Sequence, residues 1–254
     1  MLKSQACSPE ERNYRLSQKR YYLFLAVGTL LFLVLLLAST VSGNYKTSVS
    51  AAFRALVMPD YNTQIRSIIL LSRLPRMLAA ILTGAALSVS GLVYQDVFTN
   101  HMASPDILGV SSGSGFGASV AILLSLGYGS VCVFSFVGGM LTVCVTVSVS
   151  KLFGRENGLA IALSTLMTAV SVSVGGAIGW IGLAIPNMVR LALQDDGKYA
   201  MPLTILYGID FTLISDLLAR TLTLSEIPIG IITGVLGAVV FLLILTLRRR
   251  CYEA

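Results

Sequence analysis

The chain has 254 residues, of which 55% are hydrophobic and only 12% charged, and its mean hydropathy is +0.82. Soluble domains carry about 25% charged residues, so this composition excludes an ordinary water-soluble domain. The net charge of +6 comes from basic residues scattered around the ends of apolar runs. That distribution reads as membrane topology and excludes a nucleic-acid surface as its purpose.

Charge-free stretches occupy Tyr21–Ser42, Met77–Gln95, Ile107–Ser150, Asn157–Val189 and Ile227–Leu247. A hydrocarbon core of ~30 Å takes about 20 helical residues. Lipid offers backbone groups no hydrogen-bond partner, which leaves helices or closed barrels, and the unbroken runs lack a barrel's alternation. The predicted fold is an all-α, polytopic transmembrane helix bundle forming a single domain over 1–254. Its eight crossings fall, in chain order, at 21–42, 70–95, 106–126, 130–150, 158–178, 180–194, 200–220 and 227–248. A turn at Gly127-Tyr128-Gly129 separates the third from the fourth. The sixth is short and contains Pro186, as a broken or half helix would. The first apolar run is longer than the core of a signal peptide and is followed by further spans, so it reads as a retained helix.

An even number of crossings puts both termini on one side. Twelve of the eighteen Lys and Arg residues fall on that side, among them Lys19, Arg20, Lys151, Arg190 and the run Arg248 to Arg250. The bias predicts cytoplasmic termini, with 1–20 a cytoplasmic tail and 43–72 an extracytoplasmic loop. Within that loop Ser48–Val57 carries a mild helical pattern, and Pro59-Asp60-Tyr61-Asn62 is a turn signal.

Asp210 lies near the middle of the seventh crossing. A lone carboxylate in a membrane is costly unless it is paired or wet. Two readings stand: a proton or cation relay, which would make the chain an ion-coupled secondary carrier, or a carboxyl bonded to a neighbouring Ser or Thr. Asp216 and Arg220 follow at i,i+4 with the acid first, the order that suits an intrahelical pair. Glycines spaced four apart at Gly113/Gly117, Gly175/Gly179 and Gly230/Gly234 predict close helix packing within the bundle, with a dimer seam as the second reading. The cysteines Cys7, Cys132, Cys144 and Cys251 show no metal or redox spacing, and one histidine, His101, excludes a multi-histidine metal site. There is no phosphate-binding Gly-rich loop ending in Lys-Ser/Thr and no nucleophile–base pattern. The chain is read as a non-enzyme that binds no cofactor of its own.

Four collinear blocks then carry a resemblance. Arg73-Leu74-Pro75-Arg76 runs into Thr83-Gly84-Ala85-Ala86-Leu87, Ser90-Gly91 and Gln95. Phe98-Thr99-Asn100-His101-Met102-Ala103-Ser104-Pro105-Asp106-Ile107-Leu108-Gly109-Val110-Ser111-Ser112-Gly113 follows. Later come Gly179-Trp180-Ile181-Gly182-Leu183-Ala184-Ile185-Pro186 with Arg190, then Asp216-Leu217-Leu218-Ala219-Arg220-Thr221 with Glu226-Ile227-Pro228-Ile229-Gly230. Together they resemble the FecCD family, permease subunits of ABC importers for ferric siderophores, haem and cobalamin. The resemblance implies a second permease subunit (a copy or a paralogue), a cytoplasmic ATPase dimer that hydrolyses the ATP, and an extracytoplasmic substrate-binding protein, all around a bilayer-embedded bundle in the cytoplasmic (inner) membrane. It implies that Arg73, Arg76 and Arg220 receive acidic residues of the binding protein, and that Asn100 and Met102 lie at the inner gate of the substrate path.

The sequence departs from the family in four places. His101 stands where the family has Pro, Asn187 where it has His, and Val239 where it has Pro. The larger departure is a junction near 159–165, where the family's fifth helix reads directly into its seventh. About two crossings and the cytoplasmic loop that docks the ATPase are missing from the pattern. Loss of an even number preserves the downstream orientation, but a bundle without that loop is expected to couple poorly to its motor, which leaves a transport-incompetent remnant as a further reading.

Overall fold

The computed structural model describes residues 9–43, 45, 47–58, 63–104, 109–152, 158–176, 178–193, 199–222 and 227–253. Helix α1 spans Pro9–Val41, α2 Val49–Val57 and α3 Thr63–Ser67, followed by a π-helix at Ile68–Arg73 and by α4 at Leu74–Val97. Then come α5 (Val110–Leu123), α6 (Tyr128–Leu152), α7 (Gly158–Gly175), α8 (Ile181–Leu193), α9 (Ala200–Thr221) and α10 (Ile229–Glu253). Every predicted crossing has its helix. Five are long and apolar enough to span a bilayer, while the described apolar parts of α5, α7 and α8 are shorter. At 1.5 Å per residue the 13 residues of α8 reach about 20 Å, short of a ~30 Å core. The half-helix reading of the sixth crossing fits that length.

Two boundaries differ from expectation. α1 continues upstream of residue 21 to Pro9, because polar residues that cannot enter lipid can still extend a helix beyond it. The stretch 43–72 is mostly helical. Ser48 caps α2, its Oγ accepting from the Ala51 amide at 3.2 Å. The π-helix then runs into α4 without a break, and the Leu74 amide reaches back five residues to the Ile69 carbonyl. Pro75 explains the widened turn: it has no N–H to continue the ladder, so the carbonyls before it shift register. The predicted turn at Pro59–Asn62 and the acid Asp106 lie outside the described residues.

α4 and α9 form the centre. About half of the most apolar stretch in each is buried (56% in the span Thr63–Val97 that α4 completes, 50% in α9), against 17% in those of α1, α6 and α10. Apolar side chains such as Leu30, Leu141 and Leu242 are exposed on those outer helices, as a lipid-facing surface requires. Without a hydrophobic drive between helices in lipid, small residues and buried hydroxyls hold the bundle. Gly84 of α4 and Gly208 of α9 are mutually required: a Cβ on Gly84 would lie 2.5 Å from the Gly208 carbonyl oxygen, and one on Gly208 2.7 Å from that of Gly84. Thr212 Oγ1 donates to the Ala80 carbonyl at 2.8 Å across the same seam. Between α4 and α7, Ser90 Oγ donates to the Ser164 carbonyl at 2.7 Å, and the Tyr94 and Thr165 hydroxyls bond at 2.7 Å. Gly91 sits against Gly182 of α8, where a Cβ would overlap backbone.

The glycine expectation is corrected in part. Gly113 and Gly117 do join α5 to α6, packing against Thr142, Gly138 and Phe134. Gly179 and Gly234 face open space within the chain, so neither of these two is a point of close helix contact. Gly175 closes α7 and Gly230 lies in the first turn of α10.

Candidate functional site

Polar side chains gather at two opposite ends of α4. At the first end α1 finishes, α4 begins and α9 finishes. Arg73 is buried and donates to the carbonyls of Thr40 and Tyr45 and, at 2.7 Å, to Thr47 Oγ1. Arg220, also buried, donates to Ser39 Oγ at 2.5 Å and to the Ser39 carbonyl at 3.4 Å. Both guanidinium groups therefore sit on the C-terminal carbonyls of α1, where a helix end favours cations. Asp216 is the acid between them and Arg76: Arg76 Nε reaches its Oδ1 at 2.5 Å and Arg220 Nη2 its Oδ2 at 2.9 Å. Arg76 alone of the three predicted docking arginines keeps a substantial exposed fraction, 31% of its side chain. It opens with Asp216, Thr83, Tyr128 and Pro228 onto a cavity of about 400 Å³. The structure thus brings Arg73, Arg76 and Arg220 together, yet gives two of them internal work.

In the middle of α9, Asp210 is 1% exposed. Neither of its carboxyl oxygens has a hydrogen-bond partner, so the bonded-to-Ser/Thr reading does not describe it. It is not among the residues lining the cavity.

At the opposite end α4 stops at Val97 and the chain turns. Thr99 takes a left-handed φ of 47°, an uncommon conformation for a β-branched residue. The turn closes on itself through the Asn100 amide to the Gln95 carbonyl at 3.0 Å, the Ala103 amide to the Asn100 carbonyl at 2.9 Å, and the Met102 amide to Asn100 Oδ1 at 2.9 Å. Asn100 and Met102, the predicted gate residues, are both exposed here. Asn100 shapes the turn with its own side chain.

Beside the turn stands Arg190 of α8. It donates to Gln95 Oε1 at 3.3 Å and to His101 Nδ1 at 2.5 Å, and pairs with Asp96. Because a guanidinium only donates, Nδ1 of His101 is the acceptor. Asn187, one turn earlier on α8, donates from Nδ2 to the His101 carbonyl at 2.7 Å. In the sequence none of Asn187, His101, Arg190 and Gln95 stands out as a site residue: His101 and Asn187 depart from a pattern, Gln95 belongs to one, and Arg190 belongs to one and counts toward topology. Gln95 and Arg190 are polar residues inside or at the rim of apolar runs, and that signal was available.

Comparison with known proteins gives a consistent result. The model of the FecCD transport family matches residues 30–163 and 153–247. The vitamin B12 import system permease protein BtuC of Escherichia coli O9:H4 (strain HS) is 28% identical over 271 residues, covering 70% of this chain and 83% of BtuC. The molybdate import system permease protein MolB of Haemophilus influenzae is 27% identical over 319 residues, covering 87% of this chain and 95% of MolB. Among solved structures, an inward-facing ABC transporter assigned to the metal-chelate type shares the fold, with a TM-score of 0.73 at 23% identity over 89% of this chain and 99% of the other.

Proposed function

The chain belongs to the FecCD transport family, and as an ABC importer permease of that family we propose that it forms half of a channel for metal chelates of the ferric-siderophore, haem or cobalamin class. The observation that carries this reading is the collinear match over nearly the whole bundle. In this reading the bundle lies in the cytoplasmic membrane with both termini inside. The Arg76 end then faces outward and the Asn100 turn inward. A second permease subunit completes the path, a separate ATPase dimer supplies the energy, and an extracytoplasmic binding protein delivers the cargo. No side chain need react. The bundle needs two packings whose balance ATP binding shifts.

Arg76 is the side chain that an acidic residue of the binding protein would meet. Arg73 and Arg220 hold α1 and α9 behind it, so their part in docking is to fix the platform. Cargo identity is the finest part of the proposal, since BtuC is named for vitamin B12 and MolB for molybdate.

The shortened pattern belongs to the same reading. Two facts support it. The family match breaks into two stretches that overlap at 153–163, beside the expected junction at 159–165. The alignment with MolB runs to 319 positions against a chain of 254 residues. α7 runs through 159–165 as one helix, as a direct join of two helices would. The test is uptake into proteoliposomes holding this chain, the ATPase and the binding protein of its own locus, with cobalamin, a ferric siderophore, haem and molybdate as cargoes. ATP-dependent uptake that survives Asp210→Asn, slow because the docking loop is absent from the pattern, is the expected result. Uptake driven by a proton gradient and abolished by Asp210→Asn would replace the permease reading with a carrier. Failure of the ATPase to co-purify would mark a remnant.

A further inference from the structure

The turn at 98–102 is short, exposed and strained at Thr99. Its internal bonds fix its shape, and the Asn100 amide ties it to the Gln95 carbonyl at the end of α4, but none of them reaches α8. The attachment to α8 comes from outside the turn, and two of its bonds converge on His101. Its carbonyl accepts from Asn187 at 2.7 Å and its ring from Arg190 at 2.5 Å. Arg190 also pairs with Asp96 at the last turn of α4 and bonds Gln95 one residue earlier. Gln95 in turn donates from Nε2 to the Gly182 and Leu183 carbonyls near the start of α8, at 3.2 and 3.4 Å. On the other side Ala103, just past the turn, packs with Tyr94 and with Ile161 of α7.

We infer that Arg190 is a positioning residue that pins the 98–102 turn to α8, so that displacement of the turn requires Arg190 to release both Asp96 and His101. Three features carry this. The guanidinium is buried at 8% exposure, which makes its bonds strong. Its partners Gln95, Asp96 and His101 all lie on α4 and its turn, while Arg190 itself stands on α8, so every one of these bonds crosses from one segment to the other. And the acid end of the pin is open: the Asp96 side chain is 63% exposed, so water or a partner can compete for it. α8 is thereby the lever. A shift of this half helix carries the turn with it while Arg190 and Asn187 hold, and a shift that leaves the turn behind must break the Arg190 pin as well as the Asn187 bond. The consequence for gating rests on the reading of Asn100 and Met102 as the inner gate; the pin itself does not.

Hydrogen–deuterium exchange on the full chain in detergent micelles tests it. Arg190→Gln is expected to speed exchange over residues 98–104 about tenfold, as loss of charged hydrogen bonds to a local opening unit implies. Peptides from the α5–α6 pair should stay unchanged. Arg190→Lys should recover part of the protection, because an ammonium still pairs with Asp96. Asp96→Asn, at an exposed site that does not threaten folding, should speed exchange over the same residues about two- to threefold. Unchanged exchange in Arg190→Gln or Asp96→Asn overturns the proposal. So does a Lys variant no better than Gln, and so does equal acceleration in α5–α6, which would make Arg190 a general stabiliser. Absence of ATP-driven uptake by the unaltered chain would instead count against the permease reading and leave the exchange result standing.

Discussion

Each end of α4 holds an acid against buried arginine, but the two acids sit in opposite surroundings. Asp216 is 2% exposed by side chain and is shared by Arg76 and Arg220, while Asp96 is 63% exposed and meets Arg190. At the first end the arginines tie helix to helix: α1 to the π-helix that leads into α4 through Arg73, α1 to α9 through Arg220, α4 to α9 through Asp216 and Arg76. At the second end arginine ties a helix to a turn. A buried pair loses heavily when one partner goes, because the other charge is stranded. A pair open to water loses little, because water replaces the partner. The same chemistry thus makes a fixed clamp at one end and a breakable one at the other.

The largest expected effect tests the fixed clamp. Asp216→Asn leaves two guanidinium groups facing each other without their carboxylate, and should destabilise the bundle by about 3 kcal/mol. Thermal unfolding in micelles, followed by Trp180 fluorescence, measures it. Trp180 is suited because its ring packs on Phe241, 5.9 Å between centroids, at the α8–α10 contact. A loss below about 1 kcal/mol would erase the contrast between the two ends.

Next is the seam that joins both ends. Gly91→Ala drives a methyl into the Gly182 backbone, and backbone against backbone has no rotamer to yield. The cost should lie at the upper part of the ~1–3 kcal/mol seen for overpacking. Gly234→Ala, in open space on α10, is the control and should change unfolding by less than about 0.5 kcal/mol. If the two behave alike, the packing does not centre on α4.

These glycines show where the sequence is legible and where it is not. Eight apolar runs became helices because a bilayer leaves the backbone no other choice. The Gly-xxx-Gly rule found Gly113 and Gly117 but missed Gly84 and Gly208. Widening it to small residues recovers both, since Gly84 is followed at four by Ser88 and Gly208 by Thr212. The arginines at the first end were grouped by the family resemblance, yet their burial was not legible, because it depends on where α1 ends and no local pattern reports that. The pinning of His101 is a contact across 89 residues and has no sequence period at all.

A third change has the opposite sign. Thr99 holds φ at 47°, where a β-branched side chain costs about 1–2 kcal/mol. Thr99→Gly should remove that strain and, after the entropy glycine adds to the unfolded chain, stabilise the turn by a few tenths of a kcal/mol up to about 1. Unfolding midpoint and turn exchange should both move toward protection. Destabilisation would mean that Thr99 contributes more than conformation, and its hydroxyl bond to the Phe98 carbonyl at 2.8 Å would be the cause to examine.

The smallest effect is the one that separates the ends most cleanly. Asp96→Asn should lower global stability by less than about 1 kcal/mol, since an exposed pair contributes little. Salt sharpens the same point. Raising ionic strength from 0.1 M to 1 M shortens the screening length from about 10 Å to about 3 Å. The Asp96–Arg190 pair lies within reach of that screening and Asp216 does not. Unfolding of the unaltered chain should therefore change little with salt, and the deficit of Asp216→Asn should persist at high salt. The small deficit of Asp96→Asn should shrink toward zero, because salt has already weakened the pair in the parent. If the Asp216 deficit shrinks with salt in the same proportion, water reaches the first end as freely as the second, and the fixed clamp is no more fixed than the other.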